Sequence, residues 1–268
     1  MGERSRSPRA GTRANGQHLL RSDRVADELV RGAAIAPGAH VLEIGAGAGR
    51  LTAPLARRAG NVTAVELDPR FADHLRRRFA GDPHVHVVDH DILEVPFPPG
   101  RFCVFGNIPF GITTPILRRL LDDPTLPMER ADLVVQFEAA RKRASVWPMS
   151  MLSLGWLPWW ELALVRRIPA LAFEPPPRVD AGVLVVTRRA PPLLSPGERP
   201  AYVALLRRSF GRGSWPVRRS LRREMSPTAW KRLARERGLA PDVTPSQLDV
   251  FDWVDVFSAG VAAPPRLG

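Results

Sequence analysis

Cysteine and lysine are nearly missing from this 268-residue chain, which has one cysteine (Cys103) and two lysines (Lys142 and Lys231). A lone cysteine excludes an internal disulfide framework and any cysteine-built metal site, and it fits a reducing cytoplasm. Long apolar runs are missing too. The most apolar window, Trp147 to Val165, is broken by Pro148 and Pro158 and contains Glu161, whereas a membrane span needs about 20 mostly apolar residues. The first residues, MGERSRSPRAGTRANG, lack the apolar stretch of a secretory signal. Pro8, Gly11 and Gly16 interrupt any amphipathic targeting helix there, so 1–16 reads as a flexible basic tail. His74, His84, His86 and His90 have no carboxylate or cysteine at a spacing that completes a metal site, and no metal is expected.

Positive charge is abundant. Lys+Arg number 39 against 27 Asp+Glu, a formal charge of +12. Such a balance concerns partners rather than fold, and it points to polyanions such as nucleic acid, or to an anionic membrane surface. With 44% hydrophobic and 25% charged residues the chain is too apolar for global disorder. Arginine, alanine, glycine and proline together read as GC-rich coding, so the preference for arginine over lysine is compositional while the net charge is functional.

The chain alternates. A helix starts at Ser22 with Val25, Leu29, Val30 and Ala33 on one face. Strands are expected at 40–44, 61–67, 85–91, 102–107 and 131–137, with helices at 50–59, 69–79 and 113–121 between them. Two more β-prone runs, 161–168 and 182–187, finish the sheet as a hairpin-like pair. This order predicts an α/β fold with a parallel sheet covered on both faces. After about Ala190 no convincing strand remains, and short helices separated by Pro and Gly follow. The expected division is a tail 1–16, a catalytic domain 17–190 and a helical RNA-binding domain 191–268. In the last helix Thr244 is the expected cap, with Pro245 first, Gln247 at the capping-box position, and Leu248, Phe251, Val254 and Phe257 as an apolar stripe.

Two motifs carry chemistry. The first strand runs into Gly45-Ala46-Gly47-Ala48-Gly49, where glycines let the backbone turn and approach a ligand without a Cβ in the way. Glu66 closes the second strand, placed to accept from ribose hydroxyls. Asp91 closes the third and can accept from an adenine amino group, with Asp89 as the competitor. A dinucleotide site needs G-x-G-x-x-G; this loop is G-x-G-x-G with acidic Glu43 before it, which suits the cationic sulfonium and amine of S-adenosylmethionine better than a pyrophosphate. The second motif is Asn107-Ile108-Pro109-Phe110 at the end of the fourth strand. The Asn107 amide oxygen and the Ile108 carbonyl can accept the two N–H groups of a planar amine whose ring stacks on Phe110, with Pro109 making that ring project. The two acceptors favour tetrahedral nitrogen and free its lone pair for an in-line attack on a methyl group, with no general base required.

The ordered set GQHLL (16–20), EIGAGAGRLT (43–52), VELD (65–68), DIL (91–93), NIPFGITTPILRRLL (107–121), VVQFEAARKR (134–143), FEPPPRVDAGVL (173–184) and PSQLDVFDWVDVF (245–257) resembles the ribosomal RNA adenine N6-methyltransferases. It is closest to their Erm branch, which methylates 23S rRNA. The resemblance implies a Rossmann-like, class I S-adenosylmethionine-dependent methyltransferase sheet with a small all-helical C-terminal domain. It assigns Gln17 and His18 to the methionine end of the cofactor. Glu43, Gly45 and Gly47 go to its methionine and ribose, Glu66 to the ribose hydroxyls and Asp91 to the adenine, and Leu20, Leu67, Ile92 and Asn107 complete the cofactor set. Asn107, Ile108, Pro109 and Phe110 would hold the target adenine. Leu19 stands where the family usually has an aromatic residue, and Phe137-Glu138 where it often has a basic one. The implied activity is mono- or dimethylation of one 23S adenine, in naked RNA or precursor particles, with resistance to macrolide, lincosamide and streptogramin B antibiotics, by a cytoplasmic monomer. The alternatives are a small-subunit rRNA dimethyltransferase and a catalytically silent RNA-binding relative.

Charge is unevenly spread. Residues 1–24 have six arginines against Glu3 and Asp23, a net +4; 207–237 are +9, 238–268 are −3, and 25–206 only +2. The expected phosphate grip is 207–223, with Arg207, Arg208, Arg212, Arg218, Arg219, Arg222 and Arg223, and Trp215 interleaved. Trp147, Trp156, Trp159 and Trp160 are expected to be core or edge packing before a stacking surface, and Cys103 a core residue.

Overall fold

The computed structural model describes residues 18–144, 148–213, 215–222 and 224–261. The tail 1–16, Gln17, Trp147 and Arg223 lie outside the described residues. Chain order is β1 (Leu19–Leu20), α1 (Asp23–Gly32), β2 (His40–Ile44), α2 (Thr52–Ala56), β3 (Asn61–Glu66), α3 (Pro69–Arg78), β4 (Val85–Asp89), β5 (Phe102–Asn107), α4 (Thr113–Leu121) and β6 (Met128–Gln136). Then follow α5 (Phe137–Ala144), α6 (Met151–Leu154), β7 (Trp160–Ile168), β8 (Phe173–Glu174), β9 (Ala181–Arg188), α7 (Arg199–Phe210), α8 (Val217–Ser220), α9 (Pro227–Arg237) and α10 (Val250–Val261).

Seven strands form one sheet in the order β4-β3-β2-β5-β6-β9-β7. The five from β4 to β6 are parallel, and β9 is antiparallel to both β6 and β7. The two late strands therefore pair as expected, but the later one sits inside. Burial explains the order. Residues 181–186 of β9 are all buried, so it needs a neighbour on each side, while β7 is mostly exposed or half-buried along its length and takes the edge. Strand order reverses between β2 and β5, which opens a crevice at the carboxyl ends of β2 to β5.

Several expected boundaries move. α2 is five residues rather than ten: Gly60 must lie against Gly38, where a Cβ would come within 2.7 Å of the Gly38 backbone, so the chain turns early. α1 begins after Ser22, whose side chain makes no capping bond; Asp23 instead accepts from Arg50 at 2.6 Å. β4 stops at Asp89, which leaves Asp91 on the loop beyond it. At the C-terminus the Thr244–Gln247 capping box is present, but it opens a 3-10 turn. α10 starts only after Asp249, which exchanges capping bonds with Asp252 (3.1 and 2.8 Å). Val250, Trp253, Val256 and Phe257 are buried, whereas Phe251, expected on the apolar stripe, is 45% exposed and Val254 is only partly buried.

The core lies on both sheet faces. One cluster joins α1 and α2 to the sheet through Leu29, Val30, Leu55 and Phe105. The other runs without a break from Leu42 and Leu133 through Trp156, Trp159 and Trp160 into Tyr202 and Trp253 of the last helices. The three described tryptophans of the cluster are buried. Trp156 donates to Asp122 and Trp159 to the Leu194 carbonyl, each at 2.8 Å. They serve packing: the Trp156 and Trp159 indole N–H groups find protein partners, and the Trp160 ring is covered by Arg188, 4.5 Å from its centre, while its indole N–H is left unpartnered. Cys103 is buried as well, which pushes its thiol pKa up. Among the described residues no helix is long and apolar enough to cross a membrane, and no group of three or more His, Cys, Asp or Glu could hold a metal ion.

Candidate active site

The glycine loop leaves β2 with Gly45 and Gly47 in the left-handed region (φ 70° and 54°), which costs a side-chain-bearing residue energy. Space makes the same demand. A Cβ on Gly47 would lie 2.7 Å from the Leu19 side chain, and one on Gly45 would lie 3.3 Å from the Asn107 carbonyl. The loop is braced from the next strand: Gly45 and Ala46 N–H donate to the Val65 carbonyl (2.9 and 3.2 Å), and Gly47 N–H donates to Glu66 at 2.8 Å. The second Glu66 oxygen accepts from Asp68 N–H at 2.9 Å. Each carboxylate oxygen has two acceptor sites, so Glu66 retains capacity for two hydroxyls.

One cleft gathers most of the expected residues. His18, Gly45, Gly47, Glu66, Leu67, Asp91, Ile92 and the whole Asn107–Phe110 turn line it. Asp91 is fixed by accepting from Leu93 N–H at 2.9 Å. Asp89 is outside this lining and has Arg76 3.9 Å away. The cleft therefore presents Asp91, not its competitor. Of the other three expected cofactor residues, one is not described and two fall elsewhere. Gln17 is outside the described residues, Leu20 lines a small recess behind the glycine loop, and Glu43 is 0% exposed and absent from the cleft wall. Neither Glu43 carboxyl oxygen has a hydrogen-bond partner. Burial pushes its pKa up to about 7, the nearby Glu66 charge adds to the rise, and Thr52 opposes it.

The strand pairing of the N-terminal segment was not legible in the motifs. β1 pairs antiparallel with β8 (Leu19 with Glu174, Leu20 with Phe173). The His18 ring Nδ1 lies 2.7 Å from the Pro175 carbonyl; a carbonyl only accepts, so that nitrogen carries the proton. The His18 ring also tilts against Phe110, with centroids 5.9 Å apart. Most informative is Asn107: its Nδ2 donates to the His18 carbonyl at 2.7 Å. That bond assigns the amide. The oxygen is left as the free acceptor of the side chain, beside Phe110 at the cleft wall. Leu19, which departs from the family's aromatic residue in the 16–20 motif, lines the cleft as well, and so do His90 and Ile112, which no pattern in the sequence singled out for it.

The cleft suits the cofactor inferred for it. Two glycines keep Cβ atoms out of the cradle, Glu66 and Asp91 offer carboxylates to hydroxyl and amino donors, and their charge favours a cation.

The expected grip arginines form a separate surface. Arg212 and Arg219 flank Trp215, their guanidinium carbons 5.5 and 3.8 Å from its ring centre. With Arg208 and Arg222 they line one pocket, in which Arg208 bonds Glu224 at 2.8 Å. Arg207 is exposed at the end of α7 and Arg218 faces the other side of α8.

Comparison with known proteins shows the family. Residues 10–259 match the family model described as ribosomal RNA adenine dimethylase. Mycinamicin-resistance protein MyrB of Micromonospora griseorubida is 40% identical over 220 residues, 81% of this chain and 68% of that protein. Ribosomal RNA small subunit methyltransferase A of a Synechococcus strain is 34% identical over 268 residues, 94% of each. The crystal structure of the 23S rRNA methyltransferase ErmE superposes with a TM-score of 0.82 at 31% identity, covering 90% of this chain and 98% of that one.

Proposed function

Because this chain belongs to the ribosomal RNA adenine dimethylase family and is an S-adenosylmethionine-dependent methyltransferase, we propose that it methylates N6 of one adenine in 23S rRNA and thereby confers macrolide-lincosamide-streptogramin B resistance, acting in the cytoplasm. The orientation of Asn107 carries the reading. With Nδ2 tied to the His18 carbonyl, its oxygen accepts one N6–H of the adenine, and the Ile108 carbonyl accepts the other. The adenine ring stacks on Phe110, and Pro109 sets that ring's projection. Held between two acceptors, N6 takes on tetrahedral character and its lone pair leaves the ring. When bound, S-adenosylmethionine supplies an electrophilic methyl group on a sulfonium. Glu66 and Asp91 anchor its ribose and adenine, and Gly45 and Gly47 give its methionine end room. The chain needs no strong base, since the N6 proton becomes acidic once nitrogen is alkylated. A flipped adenine must be unstacked from its RNA, and the arginines of 207–222 grip the surrounding phosphates.

The resistance-protein and ErmE likenesses favour the large-subunit substrate. The small-subunit reading has its own support in the Synechococcus relative, which matches along nearly its full length. Mapping methylated adenines in both rRNAs after expression separates them. The expected mark is on 23S, and a mark confined to 16S overturns the choice.

A further inference from the structure

Between α8 and α9 lies an open groove of about 1060 Å³. Its floor is apolar, built from Leu221, Met225, Trp230 and Leu239, with Ala234 on the α9 side. Arg218, Arg219, Arg222, Lys231 and Arg235 form its rim, and no carboxylate lines it. Among the described residues none of these five cations is in an ion pair, although 18 such pairs occur elsewhere in the molecule. Arg219 and Arg222 also face the Trp215 pocket, so α8 is a basic ridge with a concavity on each side.

A double helix offers phosphates but hides its bases, so it would use the rim and leave the floor empty. A single strand offers both: a charged backbone and an unstacked ring. Apolar and aromatic surfaces beside cations are how single-stranded nucleic acid is held without sequence readout. We propose that the α8–α9 groove seats an unstacked nucleotide of RNA, distinct from the target adenine. The base lies against Met225, Trp230 and Leu239, and the flanking phosphates lie on Arg218, Arg222, Lys231 and Arg235. The identity of that RNA as rRNA rests on the methyltransferase reading above; the groove's preference for a base does not. The groove thus recognises a bulge or loop near the methylated position, while the arginines of α7 hold backbone alone.

The test measures fluorescence anisotropy of the full chain, without cofactor, on a short single-stranded oligoribonucleotide and on the same backbone made abasic. Wild type should bind the base-bearing strand about tenfold more tightly, the order expected for seating one base. Ala234→Trp fills the groove and Leu239→Ser makes its floor polar; both should bring the base-bearing strand down to the abasic level. Lys231→Ala with Arg235→Ala should weaken both strands alike and reduce the salt slope by about 1.4, for two phosphate contacts on a single strand. Equal binding of the two strands by wild type, or unchanged preference in the folded groove variants, overturns the proposal. So does tighter binding of an acidic peptide than of RNA at this groove. Methyl transfer is not measured, so a negative result here leaves the catalytic reading standing, and absence of rRNA methylation leaves this result standing.

Discussion

Arginines keep different company in the two parts of the chain. In the sheet-bearing part Arg50 bonds Asp23, Arg57 bonds Asp27, Arg130 grips Asp132 and Arg166 bonds Glu28. Where no ion pair forms, main-chain carbonyls serve: Arg78 donates to Ala48 and Arg188 to Pro124 and Met128. In the helices after residue 190, Arg212, Arg218, Arg219, Arg222, Lys231 and Arg235 form no ion pair among the described residues, whereas Arg208 and Arg237 do. Exposed ion pairs contribute little stability, so the lesson concerns field rather than folding. Pairing cancels the potential around the sheet, and the unpaired helices retain it for an anionic partner. The chemistry proposed for the cleft, by contrast, uses short-range contacts from Asn107, Phe110, Glu66 and Asp91, which a strong surrounding positive field would not improve.

Four substitutions press on this division. The largest effect is expected from Asn107→Ala, which removes an acceptor aimed at the reacting amine: about 3 kcal/mol of transition-state stabilisation, or roughly a hundredfold in turnover. RNA affinity should be unchanged in a filter-binding assay. A parallel fall in RNA affinity would break the separation of chemistry from grip. Next is Glu43→Gln. The folded pKa of Glu43 is raised to about 7 from the ordinary 4.5, so the native state holds its proton more tightly than the unfolded chain does. Stability is therefore lost as pH rises from about 4.5 to 7, and the cost is complete above that. The substitution should gain up to about 3 kcal/mol at pH 8 and little at pH 5. Urea melts at both pH values check it, and an equal effect at both would mean the carboxyl is not buried neutral. The smallest effect sharpens the arginine contrast itself. Arg218→Ala should lower the salt slope of RNA binding by about 1, whereas Arg57→Ala, already paired with Asp27, should leave it unaltered.

Much of the site could be read from the chain. The glycine loop, Glu66, Asp91 and the Asn107–Phe110 turn each follow a strand, and parallel strands carry their carboxyl ends to one edge, so local order along the chain translated into proximity. Glu43 shows the limit. It precedes the glycines and looked like a cofactor ligand, yet strand alternation turns it under the loop, where burial rather than binding sets its chemistry. Phe251 shows another. Periodicity counted from Thr244 put it on the apolar stripe, but α10 begins only after the Asp249–Asp252 cap, and Phe251 in its first turn is exposed while Phe257 of the same stripe is buried.

Sequence alone determined the parallel α/β class, the chemistry at the strand ends and the concentration of positive charge after residue 207, because these depend on residue type and short spacing. Tertiary structure decided which carboxylates are free and which arginines are neutralised. It also placed β9 inside β7, and it set the Asn107 amide by a bond to His18 across 89 residues of chain. Each of those is a contact between distant segments, and only the folded packing brings such partners within hydrogen-bonding distance.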